Sequence, residues 1–208
     1  MQLPLEARDF GMYVGFLVTW GYIAAMGRGR AKNMPPWYIL MTLVIFVAIM
    51  GFDGVNALLY DLKFVPHLYT PSLELRLGTG LLCGVAFGGI MPPVVNMTLW
   101  RQDDLRPVIA NWKDIFIILG LMLVLYAMNF SQIGLLFWPL AIVTSASTII
   151  LIALINMVFV ISLARKECTA ETWHDALNPF AVGVVLSIIE LGGMSLLRYA
   201  VLGTMVLP

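Results

Sequence analysis

Residues 36–60 read PWYILMTLVIFVAIMGFDGVNALLY, twenty-five positions with a single charge, Asp53. About 20 apolar residues span a bilayer as a helix. A strand is excluded at that length, because lipid offers the backbone no hydrogen bonds and only helices or closed barrels cross it. The rest of the chain agrees. Of 208 residues, 61% are hydrophobic and 12% charged, against about a quarter charged in a soluble domain. Mean hydropathy is +0.92. There is too little polar surface to face water on all sides, and an integral membrane protein is expected.

Six windows have spanning length: Phe10–Met26, Pro36–Tyr60, Leu75–Leu99, Pro107–Met128, Phe137–Ala164 and Pro179–Met205. The expected fold is all-α, a polytopic transmembrane bundle of six spans. Its organisation is a three-helix membrane domain over 1–100 and three further transmembrane helices over 101–208 in the same bundle. The connections carry breakers, as in GRGRAKNMPP, VPHLYTPS and RQDDLRP, while NFSQIG between the fourth and fifth spans is the least polar. The first apolar run begins with no basic stretch before it, so a cleaved leader is not expected. Trp37, Trp100, Trp112, Trp138 and Trp173 fall near predicted helix ends, where an amphipathic ring suits the interface.

Lysine and arginine in the loops set orientation. The loops after spans one, three and five hold Arg28, Arg30, Lys32, Arg101, Arg106, Arg165 and Lys166; the other side holds Arg8, Lys63 and Arg76. The first set is expected in the cytoplasm and both termini on the extracytoplasmic side, in a prokaryotic inner (plasma) membrane.

Gly80, Gly84 and Gly88 recur every four residues in the third span, and Gly11 and Gly15 share that spacing in the first. Between helices in lipid, close backbone approach replaces the hydrophobic driving force, so these five read as packing positions, with a substrate-lining role as the alternative. Pro92 and Pro93 are expected to bend the third span.

A charge inside the bilayer is costly and normally paired. Asp53 shares a helix face with Asn56, three residues on. Glu6, Arg8 and Asp9 open the first helix, and Glu74 and Arg76 open the third, on the same side. The seven form a polar cluster with two readings: a network locking three helix ends, or a shallow outward-facing site. Glu190 lies near the middle of the sixth span, and Arg198 follows two turns later on nearly the same face. That pair reads as a proton or substrate path, or as a carboxylic acid held uncharged by lipid. Lys113 and Asp114 are expected near the cytoplasmic boundary, with Lys113 reaching for headgroups.

Several chemistries find no support. Two cysteines, Cys83 and Cys168, make neither a disulfide framework nor a four-cysteine metal site. His67 and His174 fall in loops on opposite sides and cannot ligate a haem between facing helices. No zinc-protease, phosphate-loop or dinucleotide motif occurs. Zero net charge argues against nucleic acid. No metal, cofactor or catalytic residue is expected, and the partners expected are the bilayer and other membrane subunits.

Three segments in order, LPLEARDFGMYVGF, MGFDGVNALLY and LRLGTGLLCG, resemble the uncharacterised prokaryotic membrane-protein family known as domain of unknown function 2085, over about residues 3–90. The resemblance implies a helical membrane domain and no activity. Its first motif usually reads L-P-x-C-A-R-C-x-G-x-Y-x-G-F. Here Glu6 and Asp9 stand where it has cysteines, while Arg8, Gly11, Tyr13, Gly15, Asp53, Gly54, Arg76, Thr79, Gly80 and Gly84 are kept. Carboxylates cannot exchange thiols, so the scaffold is retained and soft-ligand chemistry lost. The function expected is a non-catalytic accessory subunit of a larger membrane complex, with a respiratory or photosynthetic assembly as the candidate host. The alternative is a small membrane enzyme or transporter using Asp53, Arg8 and Arg76.

Overall fold

A computed structural model describes residues 7–62, 68–102, 104–130 and 134–202. Six helices follow in order: α1 (Ala7–Ala25), α2 (Trp37–Leu62), α3 (Leu73–Leu99), α4 (Trp112–Phe130), α5 (Gly134–Leu163) and α6 (Trp173–Leu202). Among the described residues there is no strand, only two isolated bridges, Asn33 with Pro107 and Trp100 with Ala170. Four helices are long and apolar enough to cross a membrane: Trp37–Tyr60, Leu73–Leu99, Pro139–Leu163 and Trp173–Val201. The helices α1 and α4 have 19 residues each and carry charges in the first turn.

The chain divides into two compact units, residues 1–97 with 103–147 and residues 98–102 with 148–208. In the first, α1 buries Phe10, Gly11, Val14, Gly15, Phe16, Thr19 and Ile23, a stripe at the three-and-four spacing of one helix face. Its core joins Phe10, Val14 and Ile23 of α1 to Ile39 and Leu43 of α2, Leu77, Leu81 and Val85 of α3, and Ile115, Ile118 and Met122 of α4. In the second, α5 buries Leu151, Leu154 and Met157, and Gly183 of α6 sits against the Ala153 carbonyl, with a built Cβ 3.2 Å from Met157 N.

Helix ends depart from the hydropathy windows where local hydrogen bonding outweighs apolarity. The helix α6 starts at Trp173, ahead of the expected Pro179, because Asp175 caps it. One Asp175 carboxylate oxygen accepts from the backbone N–H groups of Glu171 (3.1 Å) and Thr172 (2.8 Å) and from the Thr172 hydroxyl (2.9 Å). Pro179 then lies inside the helix. The helix α4 starts at Trp112, after the expected Pro107, because residues 107–108 pair with Asn33 instead, Val108 N donating to Asn33 O at 3.2 Å. Pro92 and Pro93 do not end α3, which runs on to Leu99. Gly88 and Gly89 stand four residues before the prolines, so their carbonyls go without the helical N–H that a proline lacks.

Two helices close on a left-handed residue with the double hydrogen bond of a Schellman cap. At α1, Gly27 has φ 69°; Gly27 N donates to Ala24 O (2.9 Å) and Arg28 N to Ile23 O (3.0 Å). At α5 the same place is held by Arg165, φ 52°, with Arg165 N donating to Ser162 O and Lys166 N to Ile161 O. A left-handed side-chain-bearing residue costs about 1–2 kcal/mol. Arg165→Gly is therefore expected to raise stability by about 1 kcal/mol, read as a higher melting temperature in detergent.

Candidate functional site

The polar cluster is built around Asp53. It lies in α2 one position before Gly54, and an added Gly54 side chain would lie 3.5 Å from an Arg8 guanidinium nitrogen. Arg8 thus passes Gly54 at ordinary contact distance on its way from α1. Arg8 donates to Asp53 Oδ2 at 2.8 Å. Thr79 of α3 donates to the same oxygen at 3.3 Å, and the Tyr69 hydroxyl donates to Oδ1 at 2.6 Å. The Asp53 residue is 1% exposed. Both its oxygens are occupied, by donors from α1, the α2–α3 connection and α3.

Asn56 fixes that connection. Its side-chain amide donates to Tyr69 O (2.9 Å) and its side-chain oxygen accepts from Leu68 N (2.9 Å). Thus Asn56 holds the loop in the path that delivers Tyr69 to Asp53. Burial, then the hydrogen bond to Asp53 and its charge, push the Tyr69 phenol up to about 12 from 10.0. A raised folded-state value means that the phenol's contribution is whole below pH 10 and is lost as pH rises through about 12. Tyr69→Phe, which leaves one carboxylate oxygen without its donor, is expected to cost about 1–3 kcal/mol near neutrality. The gap between wild type and variant should narrow between pH 10 and 12 in a pH series of melting curves.

Of the other expected members, three stand at the starts of α1 and α3. Arg76 stands in the first turn of α3, half-buried, and its Nε is buried with no hydrogen-bond partner among the described residues. Glu74 is exposed in that turn, and Asp9 lies in the first turn of α1. Glu6, with Lys63 and His67, lies outside the described residues, as does the Trp138 side chain. Arg8, Asp53 and Asn56 are thus brought together with Tyr69 and Thr79.

Behind the cluster, the five glycines meet across the α1–α3 contact. A Cβ on Gly11 would lie 2.7 Å from Leu77 O; one on Gly15, 3.2 Å from Gly84 Cα; one on Gly84, 2.5 Å from Met12 O. A Cβ on Gly80 would fall on the Arg8 carbonyl, and one on Gly88 on the Thr19 side chain. This approach brings the start of α1 close enough for Arg8 to reach Asp53.

A second cluster closes the other end of α1. Asp114 in α4 accepts from Arg28 (2.6 Å), the Tyr22 hydroxyl (2.9 Å) and Ala110 N (2.9 Å), and is buried. The cap at Gly27 turns Arg28 back to make this pair. Asn96 ties the same loop to α3, donating to Gly29 O (3.0 Å) and Ala31 O (2.8 Å). Arg106 donates to Gly27 O (3.0 Å) and pairs with Asp104 at 2.8 Å. The Arg106 hydrogen bonds hold the Asp104 carboxyl below its ordinary value of 3.8. Sequence reading counts Arg28 as a loop charge and leaves Asp114 at a boundary; no local signal joins residues 86 apart. Lys113, beside it, is exposed.

Glu190 is exposed in α6 and accepts a hydrogen bond from Asn156 of α5 at 3.1 Å. It does not pair with Arg198, whose Nε is buried without a partner among the described residues. Cys83 is buried and Cys168 exposed. No group of three or more metal-ligating side chains occurs among the described residues.

Four apolar helices of spanning length, with ion pairs at helix ends, define a multi-pass membrane protein. Residues 1–90 match the model of a family described as predicted membrane protein (DUF2085). No curated protein and no solved structure matches the chain. The matched segment contains α1, α2 and most of α3, and so the whole Asp53 cluster.

Proposed function

We propose that this chain is a non-catalytic structural subunit of a larger assembly in a prokaryotic plasma membrane, with a respiratory or photosynthetic complex as the candidate host. The observation that carries the reading is Asp53. An enzyme or transporter built on Asp53, Arg8 and Arg76 needs a carboxylate that substrate, cation or proton can reach. This carboxylate is buried, and its oxygens are taken by Arg8, Tyr69 and Thr79. Such a group holds helices together, and its burial keeps its oxygens away from a ligand in solution. The Arg28–Asp114–Tyr22 cluster repeats the device at the other end of α1.

In this proposal all six helices span. A 19-residue helix rises about 28 Å, close to the hydrocarbon thickness of about 30 Å. The three basic loops face the cytoplasm and both termini the other side. Pairing of the basic loops supports this. Lys32 N donates to Asp104 O (2.8 Å), so within one unit the α1–α2 loop joins the α3–α4 connection.

Affinity purification of the tagged chain from native membranes in a mild detergent tests the proposal. The expected result is co-migration with other membrane chains in a particle larger than the chain and its micelle. A stable particle containing this chain alone would overturn it.

A further inference from the structure

Glu190 stands seventeen residues after Trp173 and eleven before Val201 in a helix apolar enough to span. Its neighbours Ile189, Met194, Leu196 and Leu197 are exposed and suit lipid; Glu190 does not. A carboxyl at that depth costs about 2.5–3.5 kcal/mol on insertion scales and faces a polar partner as a rule. Within its unit Glu190 takes one hydrogen bond, from Asn156 to Oε2, and Oε1 takes none among the described residues. Gly193 and Leu197 follow three and seven residues later, on the same face. A Cβ on Gly192 or Gly193 would meet nothing within 4 Å, so this face is open to close approach by another helix.

We propose that the Glu190–Gly193–Leu197 face of α6 is a homodimer seam, on which the Asn156–Glu190 pair of one copy meets that of a second copy of this chain. The inference rests on reading the chain as an assembly component of the membrane. Chemical self-complementarity selects a second copy. A two-fold axis along the membrane normal sets each residue opposite itself. Each Glu190 keeps Oε1 as an acceptor and each Asn156 amide keeps a second N–H as a donor, so two copies supply what each lacks. Gly193 removes the side chain that would hold two helices apart, and short separation is what makes a hydrogen bond between spans effective.

Subunit counting by single-molecule photobleaching tests the seam, using only the purified, labelled chain in phosphatidylcholine–phosphatidylglycerol liposomes over a range of protein densities. Wild type is expected to give dimers. Glu190→Gln keeps an acceptor oxygen at the same place and should dimerise as wild type does. Glu190→Leu should weaken association about tenfold. Gly193→Leu adds bulk where the chain itself offers no contact, so it should retain the wild-type melting temperature and also lose dimers. It covers the case in which Glu190→Leu fails to fold. Monomeric wild type at the highest density, or undiminished dimers in both leucine variants, would overturn the seam. A dimer that leaves native membranes without other chains would sustain the seam and sink the subunit reading. Co-purifying chains around a protein monomeric in liposomes would do the reverse.

Discussion

Gly84→Leu should strongly destabilise the folded protein. A side chain there begins with a Cβ 2.5 Å from Met12 O and 2.8 Å from both Gly15 Cα and Phe16 N. These are backbone atoms of a helix and cannot swing aside as a flexible side-chain end can. Overpacking with movable neighbours costs about 1–3 kcal/mol; here α1 as a whole must withdraw from α3. The expected cost is at least about 3 kcal/mol, or a fall of about 6–12 °C in melting temperature for a chain of this length. Withdrawal would also pull Arg8 from Asp53, so the two losses compound. Gly21→Ala on α1 is the control. A Cβ there meets nothing within 4 Å, and helix propensity favours alanine by up to about 1 kcal/mol. Size-exclusion profiles and melting curves in one detergent separate the two variants. Equal profiles would mean that the α1–α3 contact is not the structural axis.

The second large effect is expected from Asp53→Ala. Arg8 is 19% exposed at its side chain, and without the carboxylate its guanidinium is a largely buried charge with no counter-charge. Removing one member of a buried ion pair costs about 3–5 kcal/mol. Tyr69 and Thr79 lose their acceptor as well, so the α2–α3 connection and the start of α3 loosen with α1. Arg8→Met should cost a similar amount by stranding the carboxylate. Replacing both, Arg8→Met with Asp53→Leu, leaves no charge to strand, and swaps of this kind are often neutral. The double variant should therefore be more stable than either single one.

How much of this was legible in the sequence depended on the range of each interaction. The hydropathy windows located six helices, because apolar length is a property of a continuous segment. They missed the starts of α4 and α6, where hydrogen bonds of Asn33 and Asp175 decide the boundary. The four-residue recurrence of Gly80, Gly84 and Gly88 is local, and it marked the face of α3 that meets α1. Asp53 was legible as a charge in an apolar run with Arg8 and Arg76 on its side of the membrane, but the choice of Arg8 as its partner came only with the packing of α1 on α3. Tyr69 was not, because its hydroxyl reaches Asp53 only on the loop path that Asn56 holds. The Arg28–Asp114 pair lay further out of reach, since it depends on α1 packing beside α4. Glu190 was visible as an intramembrane acid, but its partner in the structure is Asn156, not the Arg198 that shares its helix.

The central claim is that the Asp53 cluster locks helices and performs no chemistry. A double-mutant cycle on Arg8 and Asp53 tests it most directly, with melting temperature and the set of co-purifying membrane chains measured for wild type, both single variants and the apolar pair. The lock predicts two unstable single variants and a double variant that recovers stability and retains the wild-type set of partners. Single variants that melt as wild type does would contradict it, because the carboxylate and guanidinium would then be dispensable to the fold and held in place for something else.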